Sequence, residues 1–327
     1  MTKSPRIAVL LPCYNEEITI AGVVHGFRAA LGPDIPIYVY DNGSQDGTAA
    51  RAEAAGAIVR HEPARGKGNV VRRMFADVDA DIYLMADGDQ TYDCADAPRL
   101  IAKLLEENLD MAVAARIPQS LVQPQPPQQA APAFRPGHQF GNRRITQTIR
   151  LLFGSAGSDA LSGYRAFSRR FVKSFPARAR GFEIETELTI YALDLGLACA
   201  DMPSRYVARP EGSHSKLHSL RDGLRIAATI LNLLRHNRPL LFFTSLFLLF
   251  AAIAIGLALP LLFTYLQTGL VPRFPTAILC TGLMLLAFQC LAAGFILDTI
   301  IDGRREARRL AYLALPSLRN SLADTAP

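Results

Sequence analysis

Five cysteines, at positions 13, 94, 199, 280 and 290, are all that the 327 residues contain, and no two of them form a CxxC pair. An odd number without that spacing gives no disulfide framework, so they read as reduced, mostly buried thiols. Zinc-finger spacing and basic motifs interleaved with aromatics are also lacking, which takes nucleic acid out of consideration. The net charge of +6 is better matched to an anionic membrane surface. A P-loop is missing too. Arg65-Gly66-Lys67-Gly68 invites that reading, but no glycine stands five residues before Gly66 and no Ser or Thr follows Lys67. Charge itself is absent from residues 240–263 and again from 277–297. At about 1.5 Å per residue the first run exceeds a hydrocarbon core of roughly 30 Å, and the second just spans it. Both lie too far along the chain to be a signal peptide, and the N-terminus opens directly into an apolar strand.

The flanks of those runs orient them. Arg235 and Arg238 precede the first, Arg304, Arg305, Arg308 and Arg309 follow the second, and the connecting loop holds only Arg273. Positive charge concentrates on the cytoplasmic side of a membrane, so a two-span inner-membrane protein with its N-terminal domain in the cytoplasm is expected. The expected layout is an α/β domain over residues 1–217, an amphipathic helix over 218–238, a transmembrane hairpin over 239–300 and a basic cytoplasmic tail over 301–327. Within the first domain, residues 118–136 are rich in Pro and Gln and read as a mobile loop. Leu220, Leu224, Ala227, Leu231 and Leu234 recur at helical spacing beside Arg221, Arg225, Asn232 and Arg235. Such a helix lies in the headgroup layer or packs against the soluble domain, and its place before a span favours the headgroups. Gln289 and Ala292-Ala293-Gly294 are candidates for helix contact, within the hairpin or between copies in a homo-oligomer.

The stretch that organises the soluble part is residues 82–93, IYLMADGDQTYD, an apolar run that stops at two aspartates separated by one glycine. A strand over 81–86 puts Asp87 and Asp89 just past its carboxyl end, where open α/β sheets hold ligands. In an extended chain the two carboxylates face one way, and Gly88 allows a close backbone approach. A hard cation, Mg²⁺ or Mn²⁺, suits such a pair because it takes oxygen ligands and shares its shell with substrate phosphates. An Asp-rich turn is the plain alternative. Upstream, strands at 6–11, 36–40 and 57–60 alternate with helical patterns from Ile18, Thr48 and beyond residue 68. This alternation predicts a mostly parallel sheet with helices on both faces. Residues 12–16, 41–46 and 87–89 then share one sheet edge, with Tyr14 placed to stack on a base, Glu16 to accept from ribose hydroxyls and Asp41 to accept from a ring N–H. Asn15 and Asp46 read equally as helix caps, residues 41–43 as a turn, and Lys67 as a phosphate contact or a solvated cation.

Together LPCYNEE, YDNGSQDGT, ARGKGN and ADGDQTYD, in this order and spacing, resemble the N-terminal half of the family 2 inverting glycosyltransferases with the GT-A fold. The resemblance implies a nucleotide-sugar donor with its base among Pro12, Tyr14, Glu16 and Asp41, and its diphosphate on a metal held by Asp87 and Asp89, with Gly88 between them. Residues 140–144 and 158–167, GFEIETEL at 181–188 and RPEGSHSKL at 209–217 resemble the polyprenyl-phosphate branch, the dolichol-phosphate-mannose-synthase-like enzymes, whose bacterial members end in a transmembrane hairpin. In that branch an Arg…Ser-Lys loop closes on the donor diphosphate, here Arg209, Ser215 and Lys216. The family's Asp-Xaa-Asp-Xaa-Gln pattern is altered, with Thr91 in the Gln position and Gln90 one place early.

These readings predict attack of a lipid phosphate on the anomeric carbon. A phosphate monoester has its second pKa near 6 and needs little help from a general base. Arg116 and Arg143 are the candidate phosphate clamp, because a guanidinium fork matches phosphate oxygens, with Arg144 as a substitute for Arg143. Asp159 is expected to orient an arginine or the sugar, and Asp89 completes the catalytic set. UDP-sugars are favoured as donor, with GDP-mannose open. Two other classes compete: a sugar-1-phosphate nucleotidyltransferase, disfavoured by the lack of a Gly-rich loop after the first strand, and a non-catalytic membrane scaffold that retains nucleotide-sugar binding.

Overall fold

The computed structural model describes residues 4–118, 147, 150, 159–181, 183–207, 209, 231–232, 234–235 and 238–323. Arg143, Arg144, Ser215, Lys216, the Pro/Gln-rich residues 119–136 and most of the amphipathic stretch 218–238 lie outside the described residues. The chain divides into two compact units, Met1–Gly223 with Arg308–Pro327, and Leu224–Ala307.

The first unit is built on strands β1 (Ile7–Cys13), β2 (Ile37–Asp41), β3 (Ile58–His61), β4 (Ile82–Met85), β5 (Met111–Pro118), β6 (Arg165–Ser168) and β7 (Cys199–Tyr206). They form one sheet in the order β3-β2-β1-β4-β6-β5-β7. All pairings are parallel except those of β6, which runs against β4 and β5. The chain enters β6 through residues 159–164 at the same edge where β5 ends, and that reverses its direction. β5 itself continues past Arg116 to Pro118.

Alternation along β1 divides the core between the two faces of the sheet. Val9 and Leu11 join the apolar faces of α1 (Ile20–Leu31), α2 (Thr48–Ala54) and α4 (Ala97–Glu106) through Val24, Phe27, Ala52, Leu100 and Leu104. Ala8 and Leu10 join α3 (Lys67–Asp77), α5 (Arg169–Ser174) and α6 (Ile184–Leu195) through Val70, Met74, Phe171 and Leu188. Helix α1 begins two residues later than its pattern suggested. Asn15 does not cap it; its Oδ1 instead accepts from Gln45 N at 2.9 Å. Asp46 is not the cap of α2 either, since Gly47 holds that place; from one residue before the cap its Oδ1 accepts from Thr48 N at 3.1 Å.

Asp81 opens β4 and fastens it to the start of β1, its carboxylate accepting from Arg6 N at 2.9 Å, Nε at 3.3 Å and Nη2 at 3.2 Å. Burial pushes this carboxyl up, but the bonds from Arg6 outweigh it and hold it below the usual carboxylate range. A depressed carboxyl stabilises the fold above its unfolded pKa, and that stability is lost as pH falls through the folded value. Asp81→Asn should therefore cost about 1 kcal/mol at pH 7, a modest figure because Arg6 is half exposed. Thermal melts of the two proteins should converge as the medium is acidified below the ordinary aspartate range.

The second unit contains α7 (Pro239–Thr268) and most of α8 (Phe274–Leu313), both long and apolar enough to cross a membrane. Gly294 faces Leu240 and Phe243 within this hairpin, and a Cβ there would stand 3.0 Å from that of Phe243. The small residue thus serves contact between the two helices. Residues from Arg308 onward cluster with the first unit. Tyr312 donates its hydroxyl to Asp110 Oδ2 at 2.7 Å, Arg170 Nε donates to the Tyr312 carbonyl at 3.0 Å, and Leu318, which begins α9 (Leu318–Ala323), is buried in the core around Val9.

Candidate functional site

The carboxyl ends of β1, β2 and β4 meet at one edge, where β2 and β4 flank β1 on opposite sides and the chain winds away in both directions. Such a reversal point opens a crevice for ligands. Pro12 is buried in β1 opposite Tyr40, and the loops that follow β1 and β2 interlace. Asn15 N donates to Ser44 Oγ at 2.9 Å, Glu16 N to Thr48 Oγ1 at 2.8 Å, and Gly47 N to Glu17 Oε2 at 3.0 Å. Asp41 is buried at the end of β2; its Oδ2 accepts from Ser44 N at 3.1 Å and lies 3.4 Å from His61 Nδ1. Tyr14 is covered on one face by Arg65, whose guanidinium carbon stands 5.4 Å from the ring centroid. Glu16 lies beside Thr19, whose hydroxyl reaches both its side chain and, at 2.7 Å, the Gly88 carbonyl.

The residues after β4 form a turn rather than the extended pair that the spacing suggested. The reason is local: Gln90 takes a left-handed φ of 59° and sends its side chain against Gly22, while Thr91 turns back on Asp89. Thr91 donates to Asp89 Oδ1 from its backbone N at 3.1 Å and from its hydroxyl at 2.6 Å. Asp89 Oδ2 pairs with Arg209 Nη2. Burial, and then the neighbouring charge of Asp87, raise the Asp89 carboxyl above the usual range despite Arg209 and Thr91. The two carboxylates still sense each other across Gly88. That glycine is needed because a Cβ would come within 2.5 Å of Cys13 Sγ.

Asp87 Oδ1 pairs with Lys67 Nζ, which also pairs with Glu185 Oε1. Lys67 is therefore a buried cation at the start of α3 and not a solvated loop residue. Burial alone would lower its pKa, but Asp87 and Glu185 outweigh that and raise it. Asp87, Asp89 and Glu185 thus share this edge with two cations, Lys67 and Arg209. Among the described residues no group of three or more His, Cys, Asp or Glu could enclose a metal. Two hard carboxylates in a turn fit an ion that completes its shell with water and substrate phosphate.

Arg116, on β5, lies at the same edge. Its Nε and Nη2 grip both Asp159 oxygens at 2.6 and 2.8 Å, and it stands over the Tyr206 ring at 5.5 Å. Burial would lower its pKa, yet the bonds from Asp159 raise it. The loop carrying Asp159 is fixed from below by Arg165, a fully buried guanidinium that donates to Ser162 O and Ala160 O at 2.8 Å and to Thr189 Oγ1 at 3.0 Å. Asn42 sets the opposite rim, donating to Glu62 O and Ala64 O at 2.9 Å and accepting from Gly66 N at 2.6 Å. Sequence reading did not single out Glu185, Arg165, Thr19 or Asn42 for these roles. Only Glu185, acidic within an apolar helical pattern, carried a signal that could have found it.

The family model for glycosyl transferase family 2 matches residues 8–175. Glycosyltransferase AglJ of Haloferax volcanii is 32% identical over 306 residues, covering 92% of this chain and 95% of its own. Protein RfbJ of Shigella flexneri is 56% identical over 116 residues, 36% of this chain and 89% of its own. Among solved structures, glucosyl-3-phosphoglycerate synthase of Mycobacterium tuberculosis, with Mn²⁺, UDP-glucose and phosphoglyceric acid, superposes with a TM-score of 0.56 at 27% identity, covering 71% of this chain and 79% of that one. The chain belongs to glycosyl transferase family 2, with a GT-A-like α/β domain followed by two apolar helices.

Proposed function

We propose that this enzyme transfers a sugar from a nucleotide-sugar donor, a UDP-sugar, to a polyprenyl phosphate such as undecaprenyl phosphate, with inversion, at the cytoplasmic face of the inner membrane. The product serves envelope glycan modification. The carrying observation is that one chain joins a family 2 catalytic domain to two helices long and apolar enough to cross a bilayer, the combination that a lipid acceptor calls for. The UDP complexes of the mycobacterial synthase, with Mn²⁺ or Mg²⁺, favour uridine donors and a divalent ion.

Pro12, Tyr14, Glu16 and Asp41 hold the nucleoside, and Asp87 and Asp89 hold Mg²⁺ or Mn²⁺. When bound, the ion offsets charge on the departing diphosphate. Lys67 and Arg209 approach that diphosphate from the protein side, joined by Ser215 and Lys216. One lipid-phosphate oxygen forms the bond to the anomeric carbon while the bond to the diphosphate oxygen breaks, and the nucleoside diphosphate leaves with the electron pair. No general base is required because the phosphate arrives ionised. Arg116 and Arg143 align it. Asp159 occupies two of Arg116's donors and leaves its Nη1 edge for the phosphate.

The direct test incubates the full chain in detergent with a panel of nucleotide sugars, Mg²⁺ or Mn²⁺ and undecaprenyl phosphate, and reads the lipid fraction by mass. A hexosyl lipid phosphate is expected; donor turnover without a lipid product overturns the acceptor. In the same assay Arg116→Ala should raise KM for the lipid phosphate by about 10- to 100-fold, the worth of one charge-assisted contact, and leave donor KM unchanged.

A further inference from the structure

Lys67 stands between two carboxylates that come from different parts of the chain. Its side chain is 10% exposed, it pairs with Asp87 Oδ1 and with Glu185 Oε1, and Glu185 is itself 6% exposed in the first turn of α6. The other oxygen of Asp87 lies against Gly163, where a Cβ would stand 2.6 Å from Oδ2, so only a glycine leaves it room beside the oxygen that Lys67 holds. An ion that takes Asp87 as a ligand therefore meets an oxygen already held by an ammonium. A buried ammonium tolerates losing one partner only if another remains, because an unpaired charge in such a place is costly.

We propose that Lys67 is an internal competitor for the metal at Asp87, and that Glu185 is a positioning residue which takes Lys67 over when the ion arrives. This rests on the reading of Asp87 and Asp89 as metal ligands. The flexible lysine stem, with its three rotatable donors, suits a charge that pivots between two carboxylates. The exchange keeps Lys67 ionised at the diphosphate edge after Asp87 has turned to the metal. It also makes the empty site self-neutralising, so that the ion binds well only with the donor's negative charge beside it.

The test is Mn²⁺ titration of the full chain in detergent without nucleotide, following free Mn²⁺ by electron paramagnetic resonance, with circular dichroism to show that each variant is folded. Lys67→Met removes the competitor and should tighten Mn²⁺ binding, whereas Glu185→Gln leaves Lys67 leaning on Asp87 alone and should weaken it. Each shift should be about tenfold, within the usual range of coupling between sites. In the Lys67→Met background the Glu185→Gln change should have little further effect, because Glu185 acts through Lys67. If Lys67→Met does not fold, Lys67→Gln carries the same comparison. Weaker binding in both single variants, or the same loss from Glu185→Gln in both backgrounds, makes the cluster structural and overturns the inference. Wild-type protein that binds no Mn²⁺ with or without UDP overturns the metal reading, and the competition falls with it. Binding to the wild type without opposite shifts in the variants sinks the competition alone.

Discussion

Asp89→Asn should lower kcat by at least about 100-fold while leaving the protein folded and no less stable, a pairing of effects that follows from the environment of one carboxylate. Asparagine is nearly isosteric, and its side-chain oxygen still accepts from Thr91 N and Oγ1, so the turn after β4 keeps its shape. The charge is what disappears. Burial and the proximity of Asp87 disfavour the ionised form of Asp89 in the free protein, so removing it relieves repulsion rather than breaking a favourable arrangement. It also removes one charged partner of Arg209 and, on the proposed reading, a hard oxygen ligand. Thermal melting without metal should therefore show an unchanged or higher midpoint, and product formation should collapse at every Mn²⁺ concentration. Full activity in this variant would take the metal role away from Asp89.

The parts of this arrangement that were legible in the sequence are those written in neighbouring residues. β1 and β4 announced themselves as apolar runs, and the abrupt change from Met85 to Asp87 marked where the sheet stops and chemistry begins. Parallel order followed from the alternation of strand and helix. β6 was hidden because its direction depends on where the chain re-enters the sheet, a tertiary fact with no local trace. The turn at residues 87–91 was misread as extended because period-two logic applies only while the backbone stays in the β region, and Gln90 leaves it. Residues 301–327 read as a basic tail by composition; the structure adds that α8 runs on to Leu313 and that Tyr312 and Leu318 make a polar and an apolar contact within the first unit, neither of which composition reports.

The candidate site shows the same division. Asp87 and Asp89 stand just past the end of β4, at the sheet edge where the sequence pattern placed them. Glu185 acts across a long sequence separation, by meeting a lysine from another helix, whereas Arg165 acts by folding back on carbonyls of the loop just before it while reaching Thr189 on α6. Neither spacing nor composition reports such pairings. Thr91 illustrates an intermediate case. Its departure from the family's Gln position was visible, and the structure supplies the consequence: a hydroxyl on Asp89 Oδ1 in place of a longer amide.

Gly66→Ala should be the most damaging of the conservative changes near the site, costing about 3 kcal/mol or more as the sum of backbone strain and overpacking. Gly66 has a φ of 119°, which an alanine adopts only under strain, and its missing Cβ would stand 2.1 Å from the carbonyl oxygen of Arg180. That neighbour is backbone, so it cannot swing aside as a flexible side chain would. The RGKG sequence, which fails as a P-loop, thus has glycines for a different reason: the backbone of residues 179–181 crosses directly over them, and Gly68 N donates to Arg180 O at 3.1 Å. Gly43 separates the two contributions. It has a φ of 75° with nothing within 4 Å of the added carbon, so Gly43→Ala carries strain alone and should cost only about 1 kcal/mol. Thermal unfolding of the two variants beside the wild type measures the difference. Equal losses would mean that residues 179–181 yield freely, whereas the larger loss expected for Gly66→Ala should come with weakened donor binding, because the displaced strand of chain leads into the helix that carries Glu185.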